Sequence, residues 1–467
     1  MKQKKGPKLP RYLMERANTD EESQPVTAED FYDEAVKFED SADRFFSSDL
    51  SKALRFYNKA HQSYLKSLNI QPIPDALYNL PRLEFDIYNK YTKDDAVIIS
   101  DLNQCEQIIQ ENILLKPIDH ICQRFEECSD LVGEPDPEIG EDLWWNGALC
   151  WFEYVESLCE SNEESTKIIK AFQKSIQLFE KVLNIFEWKI SSGSVVDYNN
   201  FTRLLGDCYR LSSVTCENFS DKDSIESISA IECYFLEKID TLTQAYLESG
   251  ISEEAAIELK LAKISERSAK ILSFDELIFV WNQDTTLINN LEKKLLEGSS
   301  FRTFLDRFED INDILKWEIL GKMSVLYREI YEELRDQISN LEKIQHSEND
   351  LLSNKIALLC SVTIERADIE LERSLLNLPV AIKNIESLKN NNRNILKNAI
   401  VFSKKSGGIK ESAVGKLTRA KKQREAVIRL CIIDEKSQEE ISVILSKYWT
   451  FELNDLCEID AYKRFFS

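Results

Sequence analysis

Apolar positions recur three or four residues apart along almost the whole chain, the spacing that places them on one face of a helix rather than on one side of a strand. Residues 1–24 stand outside this pattern. They are basic and polar, carry Pro7 and Pro10 ahead of Pro25, and read as an unfolded tail. Thr27-Ala28-Glu29-Asp30 then reads as a helix start, with Thr27 as cap and Asp30 in the first turn. The pattern predicts helices over 28–47, 49–68, 75–91, 93–114 and 118–131. A loop with Gly133, Pro135, Pro137 and Gly140 follows. Beyond it the predicted helices are 141–160, 164–190, 197–218, 223–249, 252–272, 274–297, 301–316, 315–345, 349–376, 379–401, 411–433 and 436–447, with a last piece near 453–465. Several exceed 20 residues, whereas ordinary globular helices average about 11–12.

Composition strengthens this reading. The 467 residues include only 12 Gly and 10 Pro, and no Pro lies between Pro137 and Pro379. β-sandwiches and barrels need turn residues every 8–12 positions or so, and a Gly-loop nucleotide fold needs its glycines, so these classes are excluded. The expected fold class is all-α. Long helices in successive antiparallel pairs point to stacked hairpins. The expected organisation is a basic tail (1–24), N-terminal hairpins (25–132), an extended helical array (141–402), and a basic helix with capping helices (403–467).

Residues 47–60 read Ser-Ser-Asp-Leu-Ser-Lys-Ala-Leu-Arg-Phe-Tyr-Asn-Lys-Ala. This resembles the turn and second helix of a tetratricopeptide repeat, a helix–turn–helix of 34 residues. Asp49 matches the turn, Ala53 and Ala60 the small sites, and Tyr57 the aromatic. Tyr78 and Leu80, with Pro81 in place of Gly, resemble the first-helix core, as do Leu205, Gly206 and Tyr209. Trp317, Leu320 and Gly321 match the large-residue and Leu-Gly spacing, with Ser324 where the aromatic belongs. The matches do not recur at a clean 34-residue interval. The resemblance implies a degenerate, right-handed α-solenoid in which the small residues let helices approach closely.

Charge separates the chain into zones. The net charge is −23, with Lys2, Lys4, Lys5, Lys8 and Arg11 in the tail and nine basic residues against Glu411 and Glu425 over 403–429. The middle is correspondingly more acidic. Such a surface repels nucleic acid and anionic membrane and favours basic partners. No apolar run approaches the roughly 20 residues of a membrane span, and no secretory leader stands at the N-terminus. The 11 Cys, set mostly among apolar neighbours, read as buried thiols of a reduced cytoplasmic or nuclear protein.

Candidate chemistry is sparse. His61, His120 and His346 lie far apart and read as surface or capping residues. No Cys pair has zinc or redox spacing, no phosphate loop occurs, and Gly407-Gly408 among lysines reads as a hinge. The expectation is a non-enzyme without cofactor or metal. Two features could bind a partner. One is the aromatic cluster Trp144, Trp145 and Trp151, read chiefly as hairpin core and alternatively as an anchoring surface. The other is the stripe Lys416, Arg419, Lys421, Lys422 and Arg424, which could pair within the molecule, with another protein, or with RNA. These features suggest an adaptor or escort chaperone that holds a basic client on an acidic solenoid. The alternatives are an architectural subunit of a stable complex, or an RNA-associated factor acting through 403–429.

Overall fold

A computed structural model describes residues 25–93, 96–111, 114–132, 137–161, 163–194, 196–308, 310–343, 350–404 and 411–448, together with Leu456 and Tyr462. The basic tail, His346 and Gly407-Gly408 lie outside these residues. The protein is all-α, and no strand occurs among the described residues.

The helices are α1 (Ala28–Phe46), α2 (Leu50–Ile70), α3 (Pro74–Ile87), α4 (Glu106–Glu111), α5 (Ile118–Val132), α6 (Pro137–Glu160), α7 (Ser165–Ser192), α8 (Tyr198–Glu217) and α9 (Lys222–Glu248). They continue as α10 (Glu253–Ala269), α11 (Phe274–Asn282), α12 (Leu291–Arg307), α13 (Asp313–Lys343), α14 (Leu351–Leu375), α15 (Pro379–Ser403), α16 (Ala413–Ile433) and α17 (Gln438–Leu445). Local chemistry sets their ends. Thr27 and Asp30 form the reciprocal cap of α1: Thr27 Oγ1 accepts from the Asp30 amide at 3.1 Å, and Asp30 Oδ2 accepts from the Thr27 amide at 3.0 Å. Ser437 and Glu440 repeat the arrangement at α17. Pro74 and Pro379 open α3 and α15, where a missing N–H costs nothing.

Most helices pack against neighbours in the chain, with α8 packing chiefly against α10, so the hydrophobic interior is a procession of cores rather than one globule. One core lies under α1–α4, the largest under α6–α10, another under α10–α14, and a last one under α14–α17. The array also folds back on itself. Ala413, Val414 and Leu417 at the start of α16 pack against the N-terminal core, and the Ala413 amide donates to the Ser47 carbonyl at 2.9 Å. Tyr448 donates to Asp101 at 3.3 Å. The expected basic C-terminal section is thus a strap joining both ends of the array.

Four boundaries differ from the sequence expectation. The helix predicted over 93–114 is broken into a π turn at Tyr88–Lys93, a 3-10 turn at Ile99–Asp101 and short α4. Tertiary hydrogen bonds hold this segment: Arg55 donates to the Asn103 carbonyl at 2.7 Å, and the Asn103 amide donates to Ser51 Oγ at 3.0 Å. The helix predicted over 274–297 stops at Asn282, because Asp284 accepts from both the amide and the hydroxyl of Thr286, a local turn that competes with the helix. Asn290 and Asn312 then cap α12 and α13, so 301–316 is two helix ends rather than one helix. Pro137 and Gly140, expected in a loop, lie in the first turn of α6.

Candidate binding grooves

The residues that carry the N-terminal resemblance are a helix cap and buried side chains. Asp49 caps α2, accepting from the Lys52 amide at 2.9 Å, while Ala53, Tyr57 and Ala60 are wholly buried. The Tyr57 hydroxyl donates to Asp43 and accepts from Lys90. Tyr78 accepts from Asn146, and Leu80 is buried. Pro81 is accommodated inside α3.

The two later matches do something else. Leu205, Tyr209 and Leu320 are core residues, and Tyr209 donates to Asp240 at 2.6 Å. The glycines beside them are not sites of close helix approach. A Cβ on Gly206 would meet only Glu258 Oε1, at 3.9 Å, and one on Gly321 would meet nothing within 4 Å. Each glycine borders an open groove. The close approach in this region is made by Gly298, where a Cβ would lie 3.0 Å from the Tyr327 ring.

The first groove runs between α8, α10, α11 and α12 and encloses about 480 Å³. Gly206 lies along one wall and Trp281 closes the inner side. The second lies between α11, α12 and α13, encloses about 610 Å³, and is more apolar, with Ile278, Phe301, Trp317 and Leu326 around Gly321. Helices α11 and α12 are shared walls. Both volumes fall in the range of ligand clefts.

Their charge is one-sided. The first groove carries Asp207, Glu217, Glu258 and Glu292 against Arg203 and Arg210. The second carries Glu297, Glu318 and Glu329 against Lys322. In the second, lysines answer the acids: Lys293 pairs with Glu297 at 2.9 Å, Lys294 with Glu329 at 3.2 Å, and Lys322 with Glu318 at 3.9 Å. In the first, Arg210 meets Asp207 at 3.4 Å, and burial still pushes the Asp207 carboxyl above its ordinary range. Burial raises Glu217 as well, against a hydrogen bond from Ser213. Glu258 and Glu292 form no ion pair or hydrogen bond among the described residues.

The residues singled out from sequence lie elsewhere. Trp145 is 8% exposed, inside the α6–α10 core, and Trp144 and Trp151 are half-buried at the seam with the α3–α6 core. Trp144 sits beneath Lys181 beside a cavity of about 240 Å³. Trp145 belongs to the core, and Trp144 and Trp151 pack against it while keeping part of their surface exposed. Four of the five stripe residues on α16 make contacts within the molecule. Arg419 is 6% exposed; it donates to both oxygens of Glu411 at 2.8 and 2.5 Å and to the Ser403 carbonyl at 2.8 Å. Lys421 and Lys422 pair with Glu425, and Arg424 lies over the Tyr448 ring at 4.4 Å. Lys416 alone of the five is well exposed.

His61, expected at the surface or in a cap, is 1% exposed and bonded to buried Glu84 at 2.8 Å, with Arg124 on the other Glu84 oxygen at 3.0 Å. His120 is exposed. Among the described cysteines all but Cys233 are buried, and burial pushes the Cys128, Cys159, Cys216 and Cys360 thiols up to about 12, which disfavours the reactive thiolate. No group of His, Cys, Asp and Glu among the described residues has a metal-holding arrangement, and no helix among them is long and apolar enough to cross a membrane.

Sequence reasoning missed Glu258, Glu292 and Trp281. Trp281 lies in the apolar run Phe274–Asn282 and reads as core, and the two glutamates are ordinary acids on solvated helix faces. The available signal was Gly206, whose neighbours across the fold are what make it a groove wall.

A family model described as the YNL193W C-terminal domain matches residues 290–461, from the cap of α12 to the end of the helical array. A Saccharomyces cerevisiae protein named "Uncharacterized protein YNL193W" is 24% identical over 518 residues, covering 89% of this chain and 91% of that protein. The structure of the S. pombe nuclear import adaptor Nro1 is 13% identical and covers 85% of this chain and 100% of that one. Its TM-score is 0.27, too low to carry an argument. The grooves straddle residue 290: α8, α10 and α11 precede the matched segment, and α12 and α13 belong to it.

Proposed function

We propose that the protein is a non-enzymatic, protein-binding helical adaptor or escort that holds a basic client in the grooves flanking α12. The observation that carries this reading is the charge of the first groove, where Asp207, Glu217, Glu258 and Glu292 face Arg203 and Arg210 and the last two acids stand without a basic partner. An acidic cleft attracts a basic segment at long range and speeds its capture, and the attraction weakens with salt. Elongated helical arrays present such clefts to extended peptides or helices. The positive helix α16 supports the same reading, because its charges are engaged inside the molecule and leave the acidic surface uncompensated.

The test is capture by the purified full chain from cell extract, with nuclease added and salt graded upward. A stoichiometric basic partner released by about 0.5 M salt is the expected result, since screening at that strength reaches contact distances. A salt-resistant stoichiometric assembly replaces the escort reading with an architectural one. Association lost on nuclease treatment replaces it with an RNA role. Turnover of a small molecule by the purified chain overturns the non-enzymatic reading.

A further inference from the structure

The two grooves differ in what they leave unsatisfied. In the second, every acid has a lysine. In the first, Glu258 on α10 and Glu292 on α12 stand exposed on the lining, without a partner among the described residues. Trp281 is 1% exposed, and its indole N–H has no hydrogen-bond partner. The Ser265 hydroxyl, also on the lining, is buried and likewise unpartnered. Buried donors are ordinarily satisfied, because an orphaned one carries its desolvation cost without a compensating bond. The groove therefore combines uncompensated negative charge at its mouth with buried donors that lack an acceptor. A free polyamine satisfies the first need and not the second. A peptide backbone bearing a cationic side chain supplies both the positive head and the carbonyl acceptor.

We propose that the groove between α8, α10, α11 and α12 takes an extended arginine- or lysine-bearing segment of a partner protein, its cationic head between Glu258 and Glu292 and a backbone carbonyl accepting from Trp281 Nε1. This rests on the basic-client reading and assigns it to one of the two grooves. Gly206 leaves room on its wall of the groove, because a Cβ there would meet only Glu258 Oε1, at 3.9 Å.

Fluorescence anisotropy on the full chain tests it, with a labelled nine-residue Arg/Ser peptide and a Glu/Ser peptide of equal length. Wild type is expected to bind the first and not the second. E258Q/E292Q is expected to weaken binding about tenfold, the equivalent of 1.4 kcal/mol. E318Q/E329Q, an equal charge change in the second groove, is expected to weaken it less than about threefold. G206M, which fills the groove from a helix position that accepts a side chain, is expected to bind at least about tenfold more weakly without a lowered melting temperature. W281F, which keeps the ring and removes the N–H, is expected to weaken binding about threefold or more.

Equal losses in the two double variants, or wild-type binding by G206M, overturn this site and leave the basic-client reading standing. Complete displacement of the peptide by stoichiometric spermine overturns the protein segment in favour of a small cation. Failure of wild type to bind the Arg/Ser peptide overturns the site. If salt-graded capture also yields no basic partner, the reading beneath it falls too.

Discussion

Helix α16 and the α8–α13 region answer the same physical problem in opposite ways. In α16, Arg419 is enclosed and its charge is met by Glu411, which also accepts from Ser353 at 2.8 Å. Farther along, Arg429 meets Asp368 at 3.0 Å, and Tyr462 donates to the same carboxylate at 2.7 Å. Around α12 the second groove is lysine-matched, while Glu258 and Glu292 of the first are left to solvent. The most positive stretch of sequence is consequently a structural strap, and the stretch without a charge motif is the one with an open, charged cleft. A run of like charge becomes a surface only when the rest of the fold leaves it unanswered.

The largest expected effect comes from breaking the strap. Arg419→Leu leaves Glu411 buried without its partner and is expected to destabilise the protein by about 3 kcal/mol, read as a lowered denaturation midpoint. Lys416→Ala on the same helix is the control, with a change within about 0.5 kcal/mol. Equal effects of the two substitutions remove the distinction between strap and surface.

The glycines sharpen it next. Gly298→Ala drives a methyl into the Tyr327 ring and is expected to cost about 1–2 kcal/mol despite better helix propensity. Gly206→Ala and Gly321→Ala face open grooves in helix interiors. Each is expected to gain about 0.5–1 kcal/mol through helix propensity, measured by thermal or urea unfolding. A loss at either position means that its groove is closed by a helix in solution.

The smallest effect is a pH dependence of opposite sign in two carboxylates. At Glu411 burial opposes ionisation, but the hydrogen bonds from Arg419 and Ser353 outweigh it and hold the carboxyl below its ordinary value. Its contribution to stability is present above about pH 4.5 and is lost as the pH falls through the lower folded value. At Glu372, burial among α12 and α14 pushes the carboxyl up to about 7, although Arg302 donates to it at 2.9 Å and pulls the other way. That contribution is present below about pH 4.5 and is lost as the pH rises through about 7. Relative to wild type, Glu411→Gln is expected to be least stable near neutrality and to recover toward pH 4. Glu372→Gln is expected to gain on wild type between pH 5 and pH 8. Denaturant midpoints across that range check both signs.

Much of the fold was legible in the chain because helix signals are local. Thr27 and Asp30 are three residues apart, Asp49 caps through Lys52, and apolar spacing is read within a turn or two. The all-α class, the long helices α13 to α16 and the buried Ala53, Tyr57 and Ala60 follow from such signals. The breaks in 93–114 and 274–297 were less legible, the first because Arg55 and Ser51 act from about 50 positions away.

The sequence by itself determined which segments are helical, where caps begin them, and that the chain carries a large negative excess. Only the tertiary structure decided which charges are spent on one another. Ser353 and Glu411 are 58 residues apart, and Asp368 and Arg429 are 61 apart. It likewise decided that Gly206 and Gly321 border clefts rather than contacts. Propensity and capping act within about four residues, whereas neutralisation, burial and empty space depend on what the rest of the chain brings alongside.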